Sequence, residues 1–258
     1  MTRQLLVLSG GHPYEAEPFA AMLASLDGWT VTHLMHPEAE RLVGEGCADL
    51  ADAILFYDMP GYTFGDGQVT ARLPSEAFRR AIMARFVAGR GAVAMHHAIA
   101  GWALWPEWSE LLGGRFLYQP GVVRGQAQPD SGYRHDVTYT AQVVDDHPVT
   151  RGLPAEFAVT DELYLAPVFT EDIQPLIRAR HGFVRDNFYS AAAAVAGRMF
   201  DNTGWDHPDG SDCVAWVKSA LNARLVYLQF GDGPATYANQ HVRTVLANAI
   251  DFVASPQD

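Results

Sequence analysis

The sequence has few cysteines, few basic residues and no long hydrophobic run, and each shortage excludes a class of protein. Two cysteines, Cys47 and Cys213, in 258 residues are too few for a disulfide framework, and we predict that both are small buried side chains. The 18 Lys and Arg residues against 30 Asp and Glu give a formal net charge of −12, which argues against nucleic-acid partners and anionic membranes. Because no segment has about 18 consecutive apolar residues, we expect no transmembrane helix.

The usual catalytic motifs are missing as well. The sequence contains no GxSxG, GxxxxGK[ST], HExxH or CxxC pattern, which disfavours the common nucleophilic hydrolases. Gly10 and Gly11 after the first strand match GxGxxG poorly, so no dinucleotide site is expected. The N-terminal residues show no secretory signal. The remaining expectation is a cytoplasmic protein, and the net charge favours a neutral or cationic small molecule as its partner.

What the sequence does contain is a globular composition, with 48% hydrophobic and 19% charged residues. Apolar runs at residues 4–9, 29–35, 52–57 and 92–95 predict buried strands. Segments with helical spacing lie between these runs. The first half therefore predicts the order β-α-β-α-β-α-β, which is typical of a parallel sheet with right-handed crossovers. Residues 61–74 contain glycine without periodicity and predict a mobile loop.

The second half has shorter elements. Residues 181–212 are rich in glycine, asparagine, aspartate and aromatic residues, which predicts a loop that covers a site. No repeat or linker is evident, so we predict one domain over residues 1–258 with an elaborated C-terminal half. We predict five strands in this half, at residues 136–144, 157–164, 175–179, 213–217 and 224–229. The first is a sheet-edge or antiparallel strand, and the last two form a hairpin. A closing helix is predicted at residues 238–253.

Polar side chains follow four of the predicted strands. They are His12, Asp58, the pair His96 and His97, and Asp232. The carboxyl ends of parallel strands share one edge of the sheet, where α/β proteins bind ligands, so these side chains can converge. A lone histidine or aspartate beside a turn is more often structural. If both adjacent histidines approach one site, their mutual repulsion keeps one neutral, which suits a general base or a metal ligand.

A second candidate segment is Asp161-Glu162-Leu163-Tyr164. In an extended strand Glu162 and Tyr164 point to one face and Asp161 to the other. We expect Glu162 to face a substrate with Tyr164 beside it. Asp161 would then anchor a loop by accepting backbone N–H bonds, or contribute to substrate binding. The alternative is an exposed acidic residue on an edge strand.

Several tryptophans lie outside helical stripes. Trp102 and Trp205 are candidates for stacking against a sugar ring, because an aromatic face offers an apolar surface beside polar groups. Trp105 and Trp108 are expected to pack under the turn at Gly113 instead.

The chain resembles a known family in several segments. They are SGGH after the first strand, GRGAVAMHHAIAGWALWPEWSELLGGRF, HDVTYTAQVVDDHPVTRGLPAEFAVTDELY, VAWVK and ARLVYLQFGDG. These segments resemble the ThuA-like (trehalose utilisation) family, which implies an α/β fold of the flavodoxin-like, class I glutamine amidotransferase-like type. In amidotransferases the turn that here holds His96 and His97 carries a nucleophilic cysteine, so amidotransferase chemistry is not expected.

The resemblance also implies a role in sugar catabolism, with disaccharides oxidised to 3-keto sugars, and it leaves a divalent metal open as a cofactor. Family members often contain GHD where this sequence has Gly231-Asp232-Gly233. That difference removes one histidine that could bind a metal.

The leading hypothesis is an enzyme that converts a sugar or keto-sugar by acid–base chemistry, as an isomerase, lyase or hydrolase. His97 would be the general base, His96 would orient it or bind substrate, and Glu162 would be the second acid–base group. One alternative is a non-catalytic carbohydrate-binding or sensing protein. Another is a metal-assisted hydrolase that uses His12, His96 and His97 as ligands. The sequence leaves open whether the protein forms a homo-oligomer. The expected substrate-binding residues are His12, Asp58, Trp102, Asp161, Tyr164, Trp205 and Asp232.

Overall fold

Alternating strands and helices in the first hundred residues form the parallel part of a ten-stranded sheet. The structure is a computed structural model that describes residues 2–256. The parallel strands lie in the order β2-β1-β3-β6 and are flanked by helices. The side chains of β3 and β6 are buried throughout, as expected for strands covered on both faces. The elements are β1 (Arg3–Gly10), α1 (Ala16–Leu23), β2 (Trp29–Met35), α2 (Glu38–Gly44), β3 (Ala53–Asp58), β4 (Tyr62–Gly65), β5 (Gln68–Ala71), α3 (Glu76–Val87) and β6 (Ala92–Met95).

The rest of the chain extends this sheet with antiparallel strands. The last strand, β14, pairs in parallel with β6, and the order then continues β14-β13-β11-β9-β10, with β12 also paired to β9. This extension is the elaborated C-terminal half that the sequence predicts. The elements are α4 (Pro106–Leu112), β7 (Gly121–Val123), β8 (Gln126–Gln128), β9 (Gly132–Val143), β10 (Glu156–Leu165), β11 (Gln174–Arg180), β12 (Tyr189–Ser190), α5 (Ala191–Val195), β13 (Cys213–Ala220), β14 (Ala223–Leu228), α6 (Pro234–Ala238) and α7 (Gln240–Ala254).

Two hydrophobic cores lie on the two faces of the sheet. One core contains side chains of α1 and α7, such as Phe19 and Leu246. The other contains side chains of α2, α3 and α4, such as Val43, Phe78 and Trp108. The Trp108 indole donates a hydrogen bond to the Ala98 carbonyl, which fixes α4 beneath the turn that follows β6. The cores therefore hold the carboxyl ends of β1, β3 and β6 in place, where the candidate site lies.

Two segments differ from the sequence-based expectation. Residues 61–74 are not an irregular loop, because β4 and β5 pair as an antiparallel hairpin. Within residues 181–212 the chain forms a 3-10 helix at Arg185–Asn187, then β12 and α5. Both segments are too short for periodicity to identify, and their glycines dominate the pattern. Within residues 2–256, no helix is long and apolar enough to cross a membrane.

The two cysteines are expected to differ in reactivity. Burial raises the pKa of the Cys213 thiol to about 12, whereas Cys47 is only partly buried. Because the thiolate is the nucleophile, we expect iodoacetamide at pH 8 to leave Cys213 unmodified in the folded protein and to modify Cys47 slowly. Mass spectrometry of peptides before and after unfolding in urea measures this. Rapid native labelling of Cys213 would contradict its burial.

Candidate active site

His96 stands at the centre of the polar side chains that the sheet brings together. It follows β6 directly, is fully buried, and has a backbone φ of 53°, a value that is uncommon for residues other than glycine. Its Nδ1–H donates to the Gln229 carbonyl at 2.7 Å, so the other ring nitrogen points to the cluster. Nε2 lies 2.8 Å from the Tyr164 hydroxyl, 3.3 Å from Glu162 Oε2 and 3.5 Å from Asp232 Oδ1.

The charges in this cluster favour a protonated His96. Burial alone lowers the pKa of His96, but hydrogen bonds to Asp232 and Glu162 raise it more, so the pKa lies well above its usual value. Burial raises the pKa of the Asp232 carboxyl, but hydrogen bonds from His135 and His96 lower it further than burial raises it. At neutral pH the cluster therefore places an imidazolium donor against ionised carboxylate.

His135 is a member of the cluster that the sequence analysis missed. Its Nδ1 lies 3.3 Å from Glu162 Oε1 and 3.6 Å from Asp232 Oδ2. The register of β9 and β10 shifts between Asp161 and Leu163, so that His135 and Asp136 together lie opposite Glu162. Such a β-bulge redirects side chains and is common beside active sites. The only local signal is a histidine at the start of an alternating strand, and the bulge cannot be recognised from that.

Asp161 fixes the loop that carries Asp232. Its carboxylate accepts the backbone N–H groups of Gly231 at 2.8 Å and Asp232 at 2.9 Å. The prediction that Asp161 faces away from Glu162 and anchors a loop is thus confirmed. Both of its oxygens are used and the residue is buried, so the structure gives it a positioning role in place of contact with substrate.

His97 and His12 are two further histidines close to His96. Their rings stack with centroids 4.5 Å apart, and His97 also contacts the Tyr57 ring at 4.5 Å. Burial, followed by the charges of His12 and His96, lowers the pKa of His97. Within residues 2–256 neither ring nitrogen of His97 has a hydrogen-bond partner. The structure thus brings His96, and not His97, against the carboxylates.

The cluster opens into a cavity of about 140 Å³. Glu162, Tyr164 and His12 are on its wall, as the sequence predicts, and β9 supplies two further side chains. The segment 181–212 does contribute to the covering of the site through α5 and the turn after it. The full lining is His12, Phe116, Tyr118, Tyr133, His135, Glu162, Tyr164, Ala191, Ala194 and Met199.

Three predicted substrate-binding residues are placed elsewhere. Asp58 is fully buried, and its Oδ2 is 2.7 Å from His36 Nε2, so it contacts a histidine of the chain. Trp102 is also fully buried and packs against Phe78. Trp205 is 8% exposed and its indole donates to the Asp130 carbonyl at 3.2 Å. Strand-end position alone could not distinguish these packed side chains from those that face the cavity.

We expect Asp58→Ala to reduce stability without changing substrate affinity. Removing the carboxyl group leaves His36 Nε2 without its hydrogen-bond partner, and the free energy of unfolding should fall by about 1–3 kcal/mol. Urea denaturation measures the loss, and KM of the folded variant measures affinity. A raised KM with unchanged stability would return Asp58 to the substrate-binding residues.

Comparison with known proteins places the chain in a family. The profile of the family described as ThuA, trehalose utilisation, matches residues 13–253. The chain belongs to the ThuA family. No curated protein matches its sequence. The membership confirms the resemblance seen in the sequence and gives the chain a carbohydrate-related role.

Solved structures confirm the fold of this ThuA family member. It is similar to a ThuA-like protein from Parabacteroides merdae, with a TM-score of 0.71 and 15% identity over 99% of this chain and 91% of the other. A ThuA-like protein from Bacteroides uniformis matches with a TM-score of 0.61 and 20% identity over 98% of this chain and 91% of the other. A cytoplasmic protein from Salmonella typhimurium matches with a TM-score of 0.57 and 10% identity over 97% of this chain and 99% of the other. The flavodoxin-like, class I glutamine amidotransferase-like fold class is therefore confirmed.

Three side chains of the cluster could hold a divalent metal ion. His96, Glu162 and Asp232 each offer a donor atom, and these atoms lie within 4.8 Å of one another. One imidazole with two carboxylates suits several divalent metals. Asp232 supplies one of the two carboxylates. Within residues 2–256 the predicted trio of His12, His96 and His97 forms no such group.

Proposed function

We propose that the chain is a cytoplasmic enzyme that converts a sugar or keto-sugar by acid–base chemistry. The main support is the contact of one buried histidine, His96, with a carboxylate and a phenol that both line a cavity. Perturbed titratable groups that converge in a cavity are typical of catalytic sites. The family's carbohydrate-related role and the aromatic wall of the cavity support a sugar as the substrate. A structural relative from Salmonella typhimurium is described as a cytoplasmic protein, which supports the proposed cytoplasmic location.

The arrangement suggests a role for each side chain. A ketone in the substrate acidifies the neighbouring C–H, and Glu162 takes that proton as general base. The developing negative charge on the ketone oxygen is stabilised by hydrogen bonds from the Tyr164 hydroxyl and the His96 imidazolium. In isomerisation, Glu162 returns the proton to the former ketone carbon, and the hydroxyl proton on the deprotonated carbon passes to the former ketone oxygen. In elimination, the β-oxygen substituent leaves with the proton that Glu162 has taken, and an unsaturated ketone remains. His135 holds Glu162 through the 3.3 Å contact.

A metal-assisted reaction is the second candidate. It is supported by the donor group of His96, Glu162 and Asp232. A divalent metal held there would polarise a carbonyl or hydroxyl oxygen of the substrate. In this version His135 keeps its place beside Glu162 and Asp232 and orients the two carboxylates.

Elemental analysis of untagged protein purified without chelators separates the two candidates. Turnover of a panel of 3-keto-disaccharides is then measured before and after treatment with EDTA. A metal-free protein that turns over a keto-sugar supports acid–base catalysis. One equivalent of metal, with turnover lost in EDTA and restored by that metal, supports the second candidate. Sugar binding without any turnover would contradict both and support a carbohydrate-binding protein.

A further inference from the structure

Arg115 is a buried cation that has no anionic partner. It follows the Gly113-Gly114 turn after α4 and is 4% exposed. Its Nη1 donates to the Gly101 carbonyl at 2.9 Å, while Nη2 is buried without a partner. In the described part of the chain, no carboxylate forms a salt bridge with it. Burying an unpaired charge costs several kcal/mol, so a guanidinium in this state is unusual.

Arg85 shows how this chain buries a guanidinium when the role is structural. It is equally buried, at 2% exposure. Both terminal nitrogens of Arg85 are used: Nη1 donates to the carbonyls of Ala48 and Ala51, and Nη2 donates to those of Asp52 and Gly91. Arg115 makes one such bond. Nη2 of Arg115 therefore keeps hydrogen-bonding capacity that the described residues do not use, and Tyr62 is the side chain that interacts with this guanidinium.

Arg115 lines a cavity of about 490 Å³ next to the reactive cluster. Its walls include Tyr62 and Val69 of the β4–β5 hairpin and Val122 of the β7–β8 hairpin. Tyr118 lines both this cavity and the 140 Å³ cavity that contains Glu162. Small-molecule sites usually occupy about 300–1,000 Å³; the reactive cavity is below this range, and the second cavity, which shares Tyr118 with it, is within it.

We propose that this second cavity is a substrate subsite that binds a carboxylate through Arg115, so that the substrate is an acidic sugar such as a uronic-acid-containing disaccharide. The inference rests on the proposed function and specifies its substrate class. A guanidinium binds a carboxylate with two parallel hydrogen bonds. A dianionic phosphate fits less well, because the other arginine on this wall, Arg124, is already paired with Glu110, Glu171 and Asp172.

A matched pair of disaccharides tests the proposal. One is α,α-trehalose, and the other is the same sugar with one primary alcohol oxidised to a carboxylate. Isothermal titration calorimetry with the full chain should show at least about tenfold tighter binding of the carboxylate form, which a charged hydrogen-bonded pair provides. Equal affinity for the two sugars would overturn the proposal. This comparison uses the unaltered protein, so it does not depend on whether a variant folds.

Variants of Arg115 and Arg124 then test which residue causes the preference for the carboxylate form. Arg115→Met should abolish the tenfold difference, and Arg115→Lys should retain part of it, because a lysine keeps the charge without the paired donors. Arg124→Gln, which removes a paired arginine from the same wall, should retain it. Loss of the preference in Arg124→Gln alone would overturn the assignment to Arg115, as would its persistence in a folded Arg115→Met.

Two further results separate this inference from the proposed function. Acetate is titrated as a free anion, and if it binds Arg115 as tightly as the acidic disaccharide does, the cavity is an anion site and not a substrate subsite. If the Arg115-dependent preference is observed but no sugar is turned over, the subsite stands and the catalytic proposal fails. If neutral keto-sugars are turned over and the carboxylate gives no advantage, the catalytic proposal stands and the subsite fails.

Discussion

Glu162→Gln is expected to lower kcat for a keto-sugar substrate by about 10²–10⁴-fold, the usual contribution of a general base. Glutamine has nearly the same size as glutamate but cannot accept the substrate proton. The change also removes the negative charge that faces His96 at 3.3 Å and His135 at the same distance. KM should change much less than kcat, because the wall of the cavity keeps its shape. Steady-state kinetics with purified variant measures both constants.

Glu156→Gln is the matched control for this variant. Glu156 begins the same strand, β10, and is exposed, with Arg180 as its partner. Its substitution removes one carboxylate from β10 without touching the cavity, so kcat should remain within about twofold. A Glu162→Gln enzyme with nearly unchanged kcat would exclude Glu162 as the base and direct attention to Asp232 or His12.

Asp161→Ala is expected to have the largest effect on stability. The substitution removes the acceptor of two N–H groups, the buried one of Gly231 and the partly buried one of Asp232. A hydrogen bond to a charged group contributes about 1.5–3 kcal/mol, so the free energy of unfolding should fall by about 3–5 kcal/mol. The loop that carries Asp232 should also become mobile, and kcat should fall even where the protein is folded. Urea denaturation and kinetics below the transition measure the two effects.

Two companion variants make the Asp161 result specific. Asp161→Asn keeps one oxygen acceptor and should fall between wild type and Asp161→Ala in stability. Glu156→Ala, on the same strand and exposed, should change the free energy of unfolding by less than about 0.5 kcal/mol. If Asp161→Ala were as stable as Glu156→Ala, the loop would be held by other contacts.

The sequence predicts the features that depend on local patterns. Buried parallel strands appear as apolar runs, so the positions of β1, β3 and β6 and the polar residues after them could be found. Strand alternation places Glu162 and Tyr164 on one face, and both line the cavity. It also places Asp161 on the other face, where it anchors the loop.

The features that depend on distant parts of the chain could not be found in this way. His135 reaches Glu162 because of a bulge in the pairing of β9 with β10, and a bulge is set by two strands together. Asp58 and His97 follow their strands as Asp232 and His96 do, yet they turn to other buried groups. Arg115 is one charged residue after a glycine turn in the sequence, and only its burial distinguishes it.

The pairing of β6 with β14 makes the cluster around His96 depend on two distant parts of the chain. The hydrogen bond between His96 and the Gln229 carbonyl joins residues 133 positions apart, and Asp232 lies just beyond. Contacts of such long range are slow to form, because a large loop must close first. A segment of the chain that ends before β14 contains the fourth parallel strand and both histidines of its turn, but lacks Gln229 and Asp232. The cluster around His96 can therefore form only after β14 has paired with β6.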